Sequence, residues 1–173
     1  MTGTTVTPGA VLLMTLLAAC NPPSPAQSRT TSTPSSTDDS AFVQVQRRGH
    51  AAMEVDQYSS THKFEPLPDG GRITLTRDSI DPVGVKKIRT HMPEIAAAFG
   101  RGDFAIPGFV HDRAVPGTAI MTALRDRISY YSDTAPLGGT LRIQSTDPTA
   151  ISAIHHFLAF QRADHRSSHV DSH

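Results

Sequence analysis

Alternating apolar and polar positions predict a β-hairpin followed by an amphipathic helix. In residues 61–77, Ile73 and Leu75 alternate with polar side chains after a turn at 68–71, whose glycines accept positive φ at low steric cost. The next element begins at Asp81-Pro82, because aspartate caps helix N-termini and proline fits the first helical position. Apolar residues then recur at helical spacing, namely Val85, Ile88, Met92, Ile95 and Phe99. Pro93 lies inside this helix and predicts a kink.

A second hairpin and helix repeat this arrangement. Strands are predicted at 127–132 and 141–143, on either side of Gly138-Gly139, and Asp147-Pro148 opens a helix that runs to about His165. Aligning the two Asp-Pro pairs matches the apolar positions of the helices: Val85 with Ile151, Ile88 with Ile154 and Met92 with Leu158. The pattern predicts an α+β fold, a ββα-ββα domain over residues 61–166 with an antiparallel sheet and two helices on one face. Two alternatives explain the similarity of the halves: an internal duplication, or a chance likeness of two hairpin-helix units. The intervening residues 103–124 are predicted to be mostly irregular, with a short helical turn at 119–124.

The N-terminal apolar run, residues 10–19, is too short to span a bilayer as a helix and has the length of a signal-peptide core. It ends in Leu17-Ala18-Ala19-Cys20, which resembles the bacterial lipobox. The resemblance implies a signal peptide over residues 1–19, cleavage before Cys20 and a lipid anchor on its thiol. Residues 1–8 contain no Lys or Arg, which departs from the positive start of a signal peptide. The alternative is an apolar N-terminus that is not cleaved.

Two polar segments flank the predicted domain. Residues 21–40 are rich in Pro, Ser and Thr and cannot bury enough apolar surface to offset their ordering entropy, so they are predicted to be a disordered tether. Residues 41–60 are interpreted as a continuation of this linker, although Phe42, Val43 and Val45 also suit a short strand. The polar tail, residues 167–173, is predicted to be disordered.

Charge and cysteine content exclude several classes of function. The chain has 16 Lys and Arg against 16 Asp and Glu, so it lacks the cationic excess that nucleic-acid binding uses. Its only cysteine is Cys20, which excludes disulfides and cysteine metal clusters from the folded region.

Histidine is abundant in this chain, with nine in 173 residues, and the features described above do not explain why. Imidazole suits copper and zinc, although no pair has a diagnostic metal-ligand spacing inside a predicted element. Gln161 and His165 extend the core-facing stripe of the second helix. Either they form a ligand site, or the last turn of the helix emerges from the core into water. We take the second, simpler interpretation. The candidate metal ligands are five of the six histidines in residues 61–166: His62, His91, His111, His155 and His165.

The domain also resembles a group of small uncharacterised bacterial proteins. The residues that carry the likeness are Thr61-His62-x-Phe64, Ile88-Arg89-x-His91 with Glu94-Ile95-Ala96 and Phe99, Gly102-Asp103-Phe104, His111, Pro116-Gly117, and Ala153-Ile154-His155-x-Phe157-Leu158-x-Phe160-Gln161 with Asp164-His165. Members often carry the automatic label aspartate carbamoyltransferase, which this sequence does not support, because the catalytic chain of that enzyme is much longer and has two α/β domains. The resemblance directs attention to the same five histidines and implies no established activity.

Together these features predict a membrane-anchored lipoprotein of the bacterial cell envelope, facing the periplasm or the exterior. Its domain is expected to bind a ligand or partner, with copper or zinc the leading ligands, and its one predicted partner is the membrane. No nucleophile elbow, phosphate loop or dinucleotide fingerprint is present, so a non-enzymatic role is preferred. The alternatives are a small enzyme, with a histidine as general base and His165 or Arg89 holding an anionic substrate, and a structural envelope component.

Overall fold

The computed structural model describes residues 1–5 and 36–167, with the side chains described from residue 39 in the second range. The elements below all belong to one compact unit. The helices are α1 (Ser36–Met53), α2 (Pro82–Gly100), α3 (Ala105–His111), α4 (Thr118–Ala123) and α5 (Pro148–Asp164), with short 3-10 helices at Gln57–Ser59 and Arg125–Arg127. The strands are β1 (Ser60–Leu67), β2 (Gly70–Arg77), β3 (Ile128–Ala135) and β4 (Gly138–Ser145).

The four strands form one antiparallel sheet in the order β1-β2-β4-β3. One face carries Phe64, Leu75, Leu141 and Ile143, which join the core, while polar residues of the opposite face stay in contact with solvent. Because α5 packs mainly on β1 and β2, and α2 mainly on β3 and β4, the two long helices cover the same face side by side. The predicted α+β fold, with its ββα-ββα order, is confirmed.

Both long helices begin as their sequences predict. Asp81 Oδ1 accepts a hydrogen bond from the Gly84 amide at 2.9 Å, and Asp147 Oδ1 accepts one from the Thr149 amide at 2.8 Å. Each cap is followed by a proline, which has no amide proton to leave unpaired. Helix α2 runs on through Pro93 to Gly100.

Strand register reveals an internal repeat. We superimpose the two hairpins in sequence by aligning Gly70 with Gly138. In this alignment the paired residues His62 and Leu75 of the first hairpin correspond to the paired residues Tyr130 and Ile143 of the second. The same alignment matches Ile73 with Leu141, and these two residues are paired with each other where β2 meets β4. The two halves are therefore related by an approximate twofold axis through the middle of the sheet.

Helix packing obeys the same symmetry. A Cβ atom on Gly71 would lie 2.1 Å from Leu158 Cδ1, and one on the equivalent Gly139 would lie 3.0 Å from Met92 Cγ. Met92 and Leu158 are themselves equivalent when the Asp-Pro pairs are aligned. Each helix thus approaches the central strand of the other half at a glycine that leaves room for its side chain.

Two regions predicted to lack structure are helical. The prediction of a linker through residue 60 is wrong for residues 36–59, which form α1 and a 3-10 helix and bury Val45, Met53 and Val55. Helix α3 was not predicted, because only a few apolar residues signal it. Both helices depend on tertiary packing rather than on a strong apolar stripe: they pack on each other, and Arg48 Nη2 forms an ion pair with Asp112 Oδ2 at 2.8 Å.

The predicted signal peptide with Cys20, the tether up to residue 35 and the tail from 168 lie outside the described residues. Within residues 1–5 and 36–167, no helix combines the length and apolar character needed to cross a membrane.

Candidate functional site

Three of the five candidate histidines meet at one end of α5. The His62 and His165 rings are stacked with centroids 4.7 Å apart, and the His111 ring meets His165 edge-on at 5.1 Å. These residues come from β1, the C-terminal cap of α5 and the end of α3, which are distant in the sequence. The sequence provides their chemistry, and the fold brings them together.

The other two candidates do not join this cluster. His155 Nε2 contacts the carbonyl oxygen of Leu67 at 2.9 Å, about 15 Å along α5 from His165. His91 lies on α2 and pairs its Nδ1 with Glu94 Oε2 at 3.0 Å. The predicted five-histidine metal site is therefore not formed, because its residues lie on different parts of the domain. Among the residues that the structure describes, no three His, Cys, Asp or Glu side chains are placed to hold a metal ion together.

His111 is fully engaged in holding α3 against α5. Its Nδ1 lies 2.5 Å from Asp164 Oδ2 and its Nε2 lies 2.8 Å from Gln161 Oε1, with only 1% of the side chain exposed. Arg113 forms an ion pair with the other oxygen of Asp164. A doubly protonated His111 ring donates hydrogen bonds to both Asp164 and Gln161. A neutral ring donates to Asp164 and accepts a hydrogen bond from the Gln161 amide group once that group is rotated. In either state no ring nitrogen of His111 is free for a substrate.

The interpretation of Gln161 and His165 as a wet last turn is wrong. Gln161 is 4% exposed, and His165 Nδ1 is buried without a hydrogen-bond partner among the described residues. The His62 ring likewise makes no hydrogen bond with the described residues, and His62 is half-buried. The stacked pair therefore presents imidazole nitrogens that the folded chain does not satisfy.

Both unsatisfied rings are held neutral. Burial lowers the pKa of His62 to about 4, with His111 adding to the effect and Asp78 opposing it. Burial, followed by the neighbouring His62 and His111, lowers the pKa of His165 well below its usual value. At neutral pH each ring therefore offers one N–H donor and one nitrogen acceptor.

An apolar cavity of about 90 Å³ lies on the inner side of this pair. Its walls come from the sheet and from α1, α2, α3 and α5, and they include Met53, Phe64, Ile95, Phe99, Val110 and Phe157. His62, His111, Gln161 and His165 provide its polar end. A mostly apolar concave site with a few convergent polar groups is the usual form of a small-molecule site.

The internal repeat shows that packing alone does not require histidines here. The repeat places Tyr130 at the position equivalent to His62, and Phe99 at the position equivalent to His165. Phe99 and Tyr130 contact each other edge-on, with ring centroids 5.9 Å apart, whereas the two histidines of the other half are stacked. The same framework is thus completed by an aromatic pair in one half and by an imidazole pair in the other.

Sequence reasoning missed two parts of this site. In the sequence Asp164 stands out only as the neighbour of His165, whereas its partner in the fold is His111, on a helix that was not predicted. Gly49, Met53 and Gln57 line the cavity but fall in the predicted linker. Of the two residues proposed to hold an anionic substrate, His165 lies in the site, whereas Arg89 lies outside it and donates to the carbonyl oxygens of Gly138 and Ala135 in the β3–β4 hairpin.

Comparisons with protein-family models, with curated proteins and with solved structures found no match to this chain. The resemblance described from the sequence remains a prediction, and the function has to be argued from the site itself.

Proposed function

We propose that the protein is a lipoprotein, anchored through an acylated Cys20, whose folded domain binds a small molecule with an apolar body. The ligand occupies the cavity beside His62 and His165. The lipobox-like sequence before Cys20 supports the anchor, and such an anchor would hold the domain at the cell envelope. The cavity supports the binding role.

The observation that carries the binding role is the unpartnered Nδ1 of His165 at the polar end of an apolar cavity. Leaving a buried polar atom unpaired costs about 1–3 kcal/mol. A ligand that hydrogen-bonds this nitrogen removes the cost, and the apolar wall removes the rest of the ligand from water. In the other half the equivalent Phe99 needs no hydrogen bond, although the hydroxyl of its neighbour Tyr130 is also buried without a partner in the described chain; the His165 nitrogen differs in lining a cavity.

Toluene and phenol provide a matched pair of probes, since they have similar size and differ in one hydroxyl group. We would titrate each into the full chain carrying Cys20→Ala, without detergent, by calorimetry and NMR. Both are expected to bind saturably, phenol more tightly, with ligand contacts to the imidazole protons of His62 and His165. His165→Phe should reduce phenol binding to the level of toluene. His156→Phe is the matched control, because His156 is an exposed residue of the same helix.

Two outcomes would overturn the binding role as stated. One is the absence of saturable binding of either probe at millimolar concentration. The other is saturable binding of Zn²⁺ or Cu²⁺ that His62→Tyr and His165→Phe both abolish, which would make metal the ligand.

The anchor is tested separately by mass spectrometry of the mature protein from a bacterial membrane fraction. The expected N-terminal residue is Cys20 carrying a diacylglyceryl group and a further acyl chain. An unmodified cysteine within a longer N-terminus would refute the lipoprotein assignment and leave the cavity argument intact.

A further inference from the structure

A second, polar cavity of about 290 Å³ adjoins the apolar one. The two cavities share three wall residues, Gln57, His62 and His165. The stacked imidazoles therefore stand at the boundary between an inner apolar chamber and an outer polar chamber. A single ligand long enough to pass the pair would contact both.

The outer chamber runs beside residues 60–63 of β1, which is an edge strand of the described sheet. Its lining residues include two cations, Lys63 and Arg166. They also include Ser60, Thr61 and Ser167, whose hydroxyl groups donate to the carbonyl oxygen of Asp56, to Asp78 Oδ1 and to the carbonyl oxygen of Arg162. In the described part of the chain no carboxylate lines it, although Asp39 pairs with Arg166 at 3.1 Å from outside. This lining favours an anion over a cation, because both charged residues that line it in the described part of the chain are positive.

We infer that the ligand is an amphiphilic anion, with its apolar chain in the inner chamber and its carboxylate or phosphate head in the outer chamber. This inference rests on the proposed function and specifies the class of ligand. The neutral imidazoles suit the boundary because they bring no fixed charge to the apolar side and still offer donors to the head. Lys63 supplies the charge that distinguishes an anionic head from a neutral one of the same length.

Octanoate, octanol and octylammonium share one chain and differ in the charge of the head. Using the full chain with Cys20→Ala, calorimetry should give affinities in that order, with octanoate about tenfold tighter than octanol, since hydrogen bonds to charged groups are stronger. Octyl phosphate shows whether carboxylate or phosphate is preferred. Lys63→Gln should remove most of the octanoate advantage and leave octanol binding unchanged. Lys86→Gln is the matched control, because it removes the same charge from an exposed position on α2 outside both chambers.

The possible results separate this inference from the proposed function. If octanol binds and octanoate binds no more tightly, or octylammonium binds best, the anionic head is refuted while the apolar cavity remains a binding site. An octanoate advantage that Lys63→Gln and Lys86→Gln reduce equally would also refute it, because the effect would come from net charge. If neither octanol nor toluene binds, both the inference and the proposed function fail.

Discussion

The repeat suggests a substitution that should stabilise the domain while removing its ligand site. His62→Tyr with His165→Phe gives this half the aromatic pair that Tyr130 and Phe99 form in the other half. At pH 7.5 the change removes the His165 nitrogen, which is buried without a partner in the described chain. The hydroxyl of Tyr130 is buried without a partner as well, whereas position 62 borders the polar outer chamber, where water can reach the new hydroxyl. The unpaired His165 nitrogen costs about 1–3 kcal/mol. Allowing for imperfect packing of the new rings, we expect a net gain of about 1 kcal/mol, or roughly 4 °C in Tm.

Lowering the pH should increase the difference in stability between the double variant and the wild type. An unfolded histidine titrates near 6.5, whereas the pKa of His62 in the folded domain is lowered to about 4. Between these values the unfolded chain binds more protons, so stability falls as the pH falls from about 6.5 to about 4. The difference corresponds to about 3 kcal/mol when protonation is complete, and to roughly 2.5 kcal/mol by pH 4.5. His165 contributes in the same direction, because its pKa is lowered too.

Urea denaturation followed by circular dichroism at pH 7.5, 6.5, 5.5 and 4.5 measures both effects. The wild type should lose stability steeply over this range and the double variant should lose much less, with His156→Phe behaving like the wild type. Equal pH slopes for the double variant and the wild type would show that these imidazoles are not the linked groups. A loss of more than about 1 kcal/mol at pH 7.5 would show that the imidazoles are needed for packing, against the argument from the repeat.

Four further substitutions test the framework. Gly138→Ala would place a Cβ 2.0 Å from the carbonyl oxygen of Leu75, so urea denaturation should show a free energy of unfolding lower by about 3 kcal/mol or more. Gly100→Ala, whose nearest contact would be 3.9 Å away, should leave the free energy of unfolding unchanged or raise it by up to about 1 kcal/mol. Arg77→Met removes four side-chain hydrogen bonds from an almost buried guanidinium and should lower the free energy of unfolding by about 3 kcal/mol, and an unchanged Tm would contradict this. Asp164→Ala should speed amide exchange in α3 about tenfold with little change in α2, because it loses the contacts with His111 and Arg113.

The repeated part of the fold could be predicted because its signals are local. Asp81-Pro82 and Asp147-Pro148 mark the helix starts through hydrogen bonds a few residues away, and the glycine pairs mark the hairpin turns. Alternation in the strands and helical spacing in α2 and α5 then identify the buried face. These signals also revealed Gln161 and His165 as polar residues on an apolar stripe.

The site itself could not be predicted because it depends on long-range contacts through weakly patterned segments. Helix α1 follows a Pro/Ser/Thr-rich stretch and has few buried apolar residues, so its sequence resembles a linker. Helix α3 is short, and only its packing on α1 and its contacts with α5 make it stable. His111 belongs to that helix, so neither its partner Asp164 nor its closeness to His165 had a local signal.

These two unpredicted helices explain why the halves of a symmetric framework differ at equivalent positions. The repeat provides the sheet, α2 and α5, whereas Gly49 and Met53 of α1 and Val110 of α3 contribute walls of the cavity that have no counterpart in the repeat. His111, from α3, holds Gln161 and thereby the end of α5 that presents His165. Because these non-repeated segments pack against the imidazole pair, polar rings face a cavity there. The candidate site is therefore a property of the junction between the repeat and its two added helices, and a chain that kept only the ββα-ββα framework would not form it.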